Sequence, residues 1–304
     1  MRLLVLGGTK FLGRHVVAHA LDAGHEVTTF TRGRTNPDLF PAAEHLHGDR
    51  DGGLDALRGR DWDAVVDTSG YVPRIVRQSA DLLRDAVQRY VFVSTISVYG
   101  EPEELDDPDT EDVQAHYGAL KRACERVVEE AFGDRSARVR AGLIVGPNDP
   151  TDRFTYWPRR LAAGGDALAT GDPAQPVQVI DARDLAAWLV ELALDGPGGT
   201  FDATGPQTTL GGLLERFRGE ASLVWVEEQR VLDAGVRPWT ELPLWLPRDG
   251  WPLMERDASE AIAAGLTYRP LEETWRDTFE WDRATPGERP TLTREKEAEI
   301  LARA

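Results

Sequence analysis

Cysteine is almost missing from this chain. Cys124 stands alone among 304 residues, so no disulfide can form within it. That fits a reducing compartment, and with no motif around it Cys124 reads as helix packing rather than a nucleophile. Long apolar runs are missing too. The stretch from Leu3 to Leu6 is too short for the core of a secretory signal and runs straight into glycines. Nothing approaches the ~20 apolar residues of a membrane span. A cytoplasmic protein with no membrane partner is therefore expected. Positive charge is also scarce: 35 lysines and arginines face 52 acids, for a net charge of -17. Phosphate backbones and anionic lipids would repel such a surface, so nucleic acid is not an expected partner. The longest basic cluster, Arg32-Gly33-Arg34, is short. No set of Cys, His and Asp has metal-ligand spacing, so no metal is expected.

What is present is alternation. Short apolar, β-branched runs at 3–6, 26–30, 44–47, 64–67, 90–94 and 139–145 read as strands. Amphipathic stretches at 11–23, 75–87 and 116–132 read as helices between them. Strand and helix in turn predict an α/β fold: right-handed βαβ units forming a doubly wound parallel sheet of the Rossmann type. Further on, 177–180 and 200–203 read as strands and 183–194 as a helix with a buried face. We expect a dinucleotide-binding domain over 1–205, with insertions into a smaller lobe from about 147. Residues 206–304 should be mainly a substrate-binding lobe over the open edge of the sheet. That part carries Trp225, Trp239, Trp245, Trp251, Trp275 and Trp281. Most of them should be lobe core.

The first strand leads into Gly7-Gly8-Thr9-Lys10-Phe11-Leu12-Gly13 and then a helix. A tight glycine turn there brings backbone N–H groups, and the positive end of the helix, against a pyrophosphate. Gly7, Thr9, Lys10, Phe11, Leu12 and Gly13 are the candidate contacts. Lys10 stands where a middle glycine is usual; it either reaches the phosphates or faces solvent. An NAD-preferring unit ends its second strand with an acid for the ribose 2′-hydroxyl. Here the strand runs into Thr31-Arg32-Gly33-Arg34. Arginine grips a 2′-phosphate in bidentate fashion, so NADP(H) is the expected cofactor; the alternative is a pair of surface arginines in a turn. Asp49, after the third strand, either meets the adenine amino group or is a turn acid.

Tyr117 and Lys121 stand four apart on a predicted helix, and so share a face. A phenol is a poor acid–base group at its usual pKa of ~10. A neighbouring ammonium favours the phenolate and brings proton transfer toward neutral pH. Upstream, the fifth strand ends in Ser94-Thr95-Ile96-Ser97-Val98-Tyr99-Gly100, where a hydroxyl would meet a substrate carbonyl.

With these residues in view, the sequence resembles the extended short-chain dehydrogenase/reductases, the NAD-dependent epimerase/dehydratase family. GGTKFLG at 7–13, FVSTISVYG at 92–100, YGALK at 117–121, RAGLIVGP at 140–147 and VIDARDLA at 179–186 carry the likeness over about the first 205 residues. The resemblance implies that Thr95, four before the tyrosine of Val98-Tyr99-Gly100, orients the substrate. It implies that Tyr117 is the acid/base and Lys121 its activator. Thr68, Ser69 and Gly70 match the segment that passes the cofactor ribose and phosphates, and Gly142 and Leu143 the segment beside the nicotinamide. Family members often pair through helices like those at 75–87 and 116–132, so a homodimer is allowed.

The departures narrow the function. Members acting on nucleotide sugars commonly show Arg-x-x-Asn; here it is Arg140-Ala141-Gly142-Leu143. They commonly carry an arginine where this chain has Val177. Both argue against a nucleotide-sugar substrate. Dehydratases often follow the threonine with Asp-Glu; here Ile96-Ser97 follows. The basic residue inside the glycine loop resembles an atypical subgroup that includes plastid RNA-binding proteins and many bacterial members. The expected function is NADP(H)-dependent reduction of a carbonyl, or oxidation of an alcohol, in a small molecule or natural-product intermediate. The alternatives are an epimerase or dehydratase with tightly held oxidised cofactor on a sugar-like substrate, and a non-catalytic cofactor- or RNA-binding relative. Tyr71, His116, Arg153, Tyr156 and Trp157 are candidate substrate contacts, each with surface loop or lobe core as the plainer reading.

Overall fold

A computed structural model describes residues 1–105, 107, 110–285, 287 and 291–303. Six strands come first: β1 (Arg2–Leu6), β2 (Glu26–Thr31), β3 (Glu44–His47), β4 (Ala64–Asp67), β5 (Arg89–Thr95) and β6 (Ser136–Ala141). Helices α1 (Phe11–Asp22), α2 (Pro73–Leu83) and α3 (Tyr117–Phe132) link them. Together with the strand Gly199–Ala203 they form one seven-stranded sheet in the order Gly199–Ala203, β6, β5, β4, β1, β2, β3. Every pairing in it is parallel. The chain winds outward from β1 to β3, then lays β4 on the other side of β1. This is the doubly wound Rossmann arrangement, and its switch point lies at the carboxyl ends of β1 and β4.

The apolar run of β1 is continuous because both of its faces are covered: Leu3, Leu4, Val5 and Leu6 are all fully buried. Leu4 and Leu6 belong to a cluster with Val76 and Leu83 of α2 and Cys124 and Val128 of α3. Side chains alternate along a strand, so Val5 points the other way. There it meets Val17 of α1 beside Gly8, and α1 packs on the helix Ala182–Asp195. Each fully buried Leu or Val contributes roughly 1.5–3 kcal/mol. Cys124 is fully buried, and burial pushes its thiol up to about 12. It is inert packing.

The run at 139–145 is not one strand. β6 ends at Ala141, and a second strand, Leu143–Val145, begins after Gly142. The Gly142 N–H donates to the Ala203 carbonyl at 2.9 Å. A Cβ at Gly142 would lie 2.8 Å from Thr204 Cγ2, which only glycine avoids.

The chain folds as two compact units. The first holds residues 1–144, 182–204 and 257–268; the second holds 145–181, 205–256 and 269–304. A division near 205 in the sequence therefore misses one return: 257–268 rejoins the first unit. Two bonds hold it there, from the Trp188 indole to the Ala264 carbonyl at 2.9 Å and from the Tyr268 hydroxyl to the Thr204 carbonyl at 2.7 Å.

The second unit contains a parallel pair of strands, Gly165–Thr170 and Ala221–Val226. Its core gathers Phe154, Trp157, Leu161, Leu168, Leu214 and Trp245. The buried Arg160 guanidinium pairs with Glu297 at 2.7 Å, and Glu297 also accepts the Leu168 N–H at 2.9 Å. Of the six tryptophans, most of which are expected in its core, Trp245 is buried and the other five are half-buried. Their rings do pack, as in the stack of Trp275 on Phe217 at 4.3 Å. An indole can cover apolar surface while one edge stays open to water.

Candidate functional site

The site in the first unit starts from backbone. Gly7 and Gly8 follow β1 with φ of +107° and +106°, a region closed to side chains. A Cβ on Gly7 would come within 2.5 Å of Thr68 Oγ1, and one on Gly13 within 2.7 Å of the Gly8 nitrogen. The loop is thus pulled against β4's end and against its own helix. Lys10 precedes α1 in extended conformation and is exposed, and its own side chain makes no capping hydrogen bond to the helix. Phe11 opens that turn at φ +37° and lies edge-on to His15, while Leu12 is buried beneath it. Thr9 is buried, and its carbonyl accepts a hydrogen bond from the Asn36 side chain at 2.9 Å.

Arg32 and Arg34 are exposed just past β2, on either side of Gly33 at φ +66°. Asp49 is exposed, and its carboxylate accepts the Asp51 N–H at 3.1 Å, so it is at least a turn acid. The hydroxyls of Thr68 and Ser69 both donate to the Leu6 carbonyl, at 3.1 and 3.0 Å. Gly70 has no room for more: a Cβ there would be 2.6 Å from Phe92 and 3.0 Å from Asp67 Oδ2.

α3 brings the titratable pair. Tyr117 is its first residue and Lys121 lies one turn on. The helix starts here because the Glu101 carboxylate accepts the N–H groups of Gly118 and Ala119, at 2.8 and 3.1 Å. That is a cap delivered from another loop. Gly118 lets the helix press on the turn after β5, since a Cβ there would be 2.3 Å from the Ser97 carbonyl oxygen. Arg122 clamps the same turn by donating to the Val98 carbonyl. The Lys121 ammonium is buried and donates to the carbonyls of Gly70 at 2.7 Å and Val93 at 2.5 Å. It also lies 4.2 Å from the centre of the Phe92 ring. Burial pulls its pKa down to about 8. The Tyr117 and Tyr71 rings stand 6.4 Å apart. Thr95 caps the turn Ile96–Tyr99, accepting the Ser97 N–H and donating to the Ser97 hydroxyl, each at 3.1 Å. The two hydroxyls form one pair, of which Ser97 is the more open member.

The structure therefore gathers Gly7, Gly13, Thr68, Ser69, Gly70, Tyr71, Thr95, Tyr117 and Lys121 at the carboxyl ends of β1, β4 and β5. His116 is exposed directly before α3. Gly142 and Leu143 follow β6 on the same edge of the sheet, with Leu143 buried. Arg153, Tyr156 and Trp157 belong to the second unit. Trp157 is 1% exposed and donates to the Pro243 carbonyl at 2.8 Å, and Tyr156 is 3% exposed; both are core side chains there, which corrects their expected place at a substrate. Arg153 is exposed, 5.7 Å from the Trp239 ring.

Two charged networks escaped sequence reasoning. Arg50 makes a bidentate pair with Asp67, at 2.7 and 2.8 Å, and donates to Ser79 at 2.7 Å. Tyr90 donates to the same carboxylate at 2.7 Å, and burial, then Asp67, push its phenol well above the usual range. Asp67 also accepts the Ser69 N–H at 3.0 Å, so the pair underpins the segment that receives Lys121. On the far side of β5, Glu125 accepts from Ser94 at 2.5 Å and from Arg140 at 2.7 Å. Arg140 in turn donates to the Tyr99 hydroxyl at 2.7 Å. The signal available was a charge inside an otherwise apolar strand, as in Ala64–Asp67. Partner identity needed the fold. Among the described residues no group of His, Cys, Asp and Glu could hold a metal ion, and no helix is long and apolar enough to cross a membrane.

A fold of this order, with a glycine cradle at β1 and a Tyr–Lys pair at the sheet edge, defines a nucleotide-binding class of α/β proteins. The chain belongs to the NAD dependent epimerase/dehydratase family, whose family model matches residues 3–201. It is similar to the chloroplast stem-loop binding protein of 41 kDa b of Arabidopsis thaliana, 26% identical over 61% of this chain and 53% of that protein. It is also similar to a UDP-glucose 4-epimerase of Azospirillum brasilense, 31% identical over 50% of this chain and 51% of that one. The chain thus spans about half the length of these curated relatives. Among solved structures, the Bordetella bronchiseptica enzyme WbmG in complex with NAD and UDP shares the fold. Its TM-score is 0.67 at 18% identity, covering 93% of this chain and 95% of that one.

Proposed function

We propose that this protein is an NADP(H)-dependent oxidoreductase that reduces a carbonyl of a small molecule, or oxidises the matching alcohol. The observation that carries this reading is Tyr117 and Lys121 one helical turn apart, with the ammonium at the Gly70 carbonyl between β4 and β5.

The residues fit a dinucleotide, because Gly7 and Gly8 turn at φ +107° and +106° just before the N-terminus of α1, the kind of glycine turn whose backbone N–H groups meet a pyrophosphate. Gly7, Thr9, Phe11, Leu12 and Gly13 would hold the pyrophosphate, Lys10 a phosphate of the cofactor, and Arg32 and Arg34 the 2′-phosphate. Asp49 would meet the adenine, Thr68, Ser69 and Gly70 the ribose and phosphates, and Gly142 and Leu143 the nicotinamide. When bound, the cofactor supplies or accepts a hydride. The Tyr117 phenol gives its proton to the substrate oxygen in reduction and takes one back in oxidation. Thr95, joined to Ser97, orients that oxygen. Lys121 keeps a positive charge one turn away, which favours the phenolate, and can reach toward ribose hydroxyls. Tyr71 and His116 form the rim beside Tyr117.

The test is Tyr117→Phe, assayed by NADPH oxidation against a panel of ketones and aldehydes. Turnover should fall at least ~100-fold, with NADPH affinity within about twofold of wild type. Turnover within a few-fold of wild type removes Tyr117 from the role.

A second reading, epimerisation with the cofactor retained, is favoured by the likeness to a UDP-glucose 4-epimerase. It keeps the same Tyr117 and Lys121. Against it, Leu143 stands where the Arg-x-x-Asn pattern has asparagine, and Val177 stands where a diphosphate-gripping arginine is usual. Bound oxidised cofactor surviving purification, with conversion of UDP-glucose, would favour the epimerase. Stoichiometric exchange of added NADPH would favour the reductase. A stem-loop ligand is opposed by the net charge of -17; salt-sensitive RNA retention in a gel shift would revive it.

A further inference from the structure

The two loops that face the adenosine half of a dinucleotide are tied by one side chain. The Asn36 amide donates to the Thr9 carbonyl at 2.9 Å. Thr9 lies next to Lys10 in the glycine loop, and Asn36 lies two residues past Arg34. The loop between is shaped for this. Gly33 turns at φ +66°, with its N–H on Thr31 Oγ1 at 3.1 Å and His47 closing the space a Cβ would take. Asn36 itself adopts φ +45°, and its carbonyl accepts the Leu39 N–H at 3.1 Å. Asparagine is one of the few residues that takes this conformation readily and still offers a side-chain donor. Arg32, Arg34 and Lys10 are exposed around this latch. Three long cations have many rotamers, and holding their backbones in register is what lets them converge on one anion.

We infer that Asn36 is a specificity-determining latch: by fastening the Arg32–Gly33–Arg34 turn to the glycine loop, it makes Lys10, Arg32 and Arg34 one receptor for a phosphate monoester. This rests on the NADP(H) reading and assigns that preference to a residue that is itself uncharged. Asn36 is a positioning residue, and its effect falls on the 2′-phosphate rather than on the dinucleotide as a whole.

The experiment is calorimetric titration of the purified full chain with NADP+ and with NAD+. Asn36→Gly keeps the left-handed backbone and removes the donor. Asn36→Asp keeps size and puts a carboxylate against the Thr9 carbonyl. Each should lower the preference for NADP+ over NAD+ by about three- to tenfold, the effect of one lost hydrogen bond, with NAD+ affinity within about twofold. In an Arg32→Gln/Arg34→Gln background the Asn36 substitutions should change the preference no further. A retained preference in both single variants, an equal loss for both cofactors, or a further drop in the arginine-free background each overturns the latch. A wild-type chain that binds NAD+ as tightly as NADP+ sinks the cofactor reading itself, and the latch with it. That failure shows in the wild type, whereas failure of the latch alone shows only in the variants.

Discussion

The two units of this chain bury arginine–carboxylate pairs to different ends. In the first, Arg50 and Asp67 are 17 residues apart, and the pair holds the Ser69 N–H beneath the candidate site. In the second, Arg160 and Glu297 are 137 residues apart, and the pair ties the helix Tyr156–Ala162 to the helix Arg294–Leu301. One pair shapes a turn that a ligand would meet. The other closes the end of the chain onto a core. The same chemistry therefore serves positioning in one place and assembly in the other, and only the neighbours distinguish them.

Breaking each pair from the cation side gives the largest expected effect. Arg50→Met strands the buried Asp67 carboxylate, which costs about 3–5 kcal/mol; Arg160→Met leaves Glu297 its second partner, Arg294 at 2.9 Å, and should cost less. Both should appear in urea denaturation. The comparison is sharpened by NADP+ titration of whatever folded fraction remains. Arg50→Met should weaken binding at least tenfold, while Arg160→Met should leave it near wild type. Equal loss of binding in both would erase the distinction.

Lys121 comes next. Burial lowers its pKa from 10.5 to about 8, so between those values the unfolded chain keeps a proton that the folded chain has released. Stability from this group therefore rises with pH across that window, by up to ~3 kcal/mol at ~1.4 kcal/mol per pH unit. The stability of wild type minus that of Lys121→Met should grow between about pH 8 and about pH 10.5. A flat difference would mean the two carbonyls hold the ammonium as well as water does.

Smaller effects probe the backbone fit. Gly118→Ala drives a methyl against the Ser97 carbonyl and should cost about 1–3 kcal/mol. It should also displace Tyr117, so the loss of turnover should exceed that of an alanine placed elsewhere on α3. Glu101→Ala removes the acceptor for two N–H groups of α3 and should cost about 1 kcal/mol in thermal or urea unfolding.

Much of the first unit is readable from its residues. The ends of β3 and β4 coincide with the apolar runs at 44–47 and 64–67, because a strand buried on both faces announces itself by composition. The same reasoning missed Gly165–Thr170 and Ala221–Val226. The first is rich in small and polar residues, and the second mixes Ser with Trp, so neither shows a clean period. The return of 257–268 to the first unit was hidden for another reason: its anchors are backbone carbonyls, which every residue has. Tyr156 and Trp157 looked like pocket residues because aromatic and polar side chains alternate there, and burial in a core demands the same mixture.

The order of β-strands and helices, the glycine turn and the spacing of Tyr117 from Lys121 were determined by sequence alone. Each depends on contacts within a few residues or on a local period. Where the Lys121 ammonium points, which carboxylate holds Arg50, and that Asn36 joins two loops were decided only by tertiary structure. Those partners lie 51, 17 and 27 residues apart, and a charge or an amide in a sequence does not name the distant atom that will satisfy it.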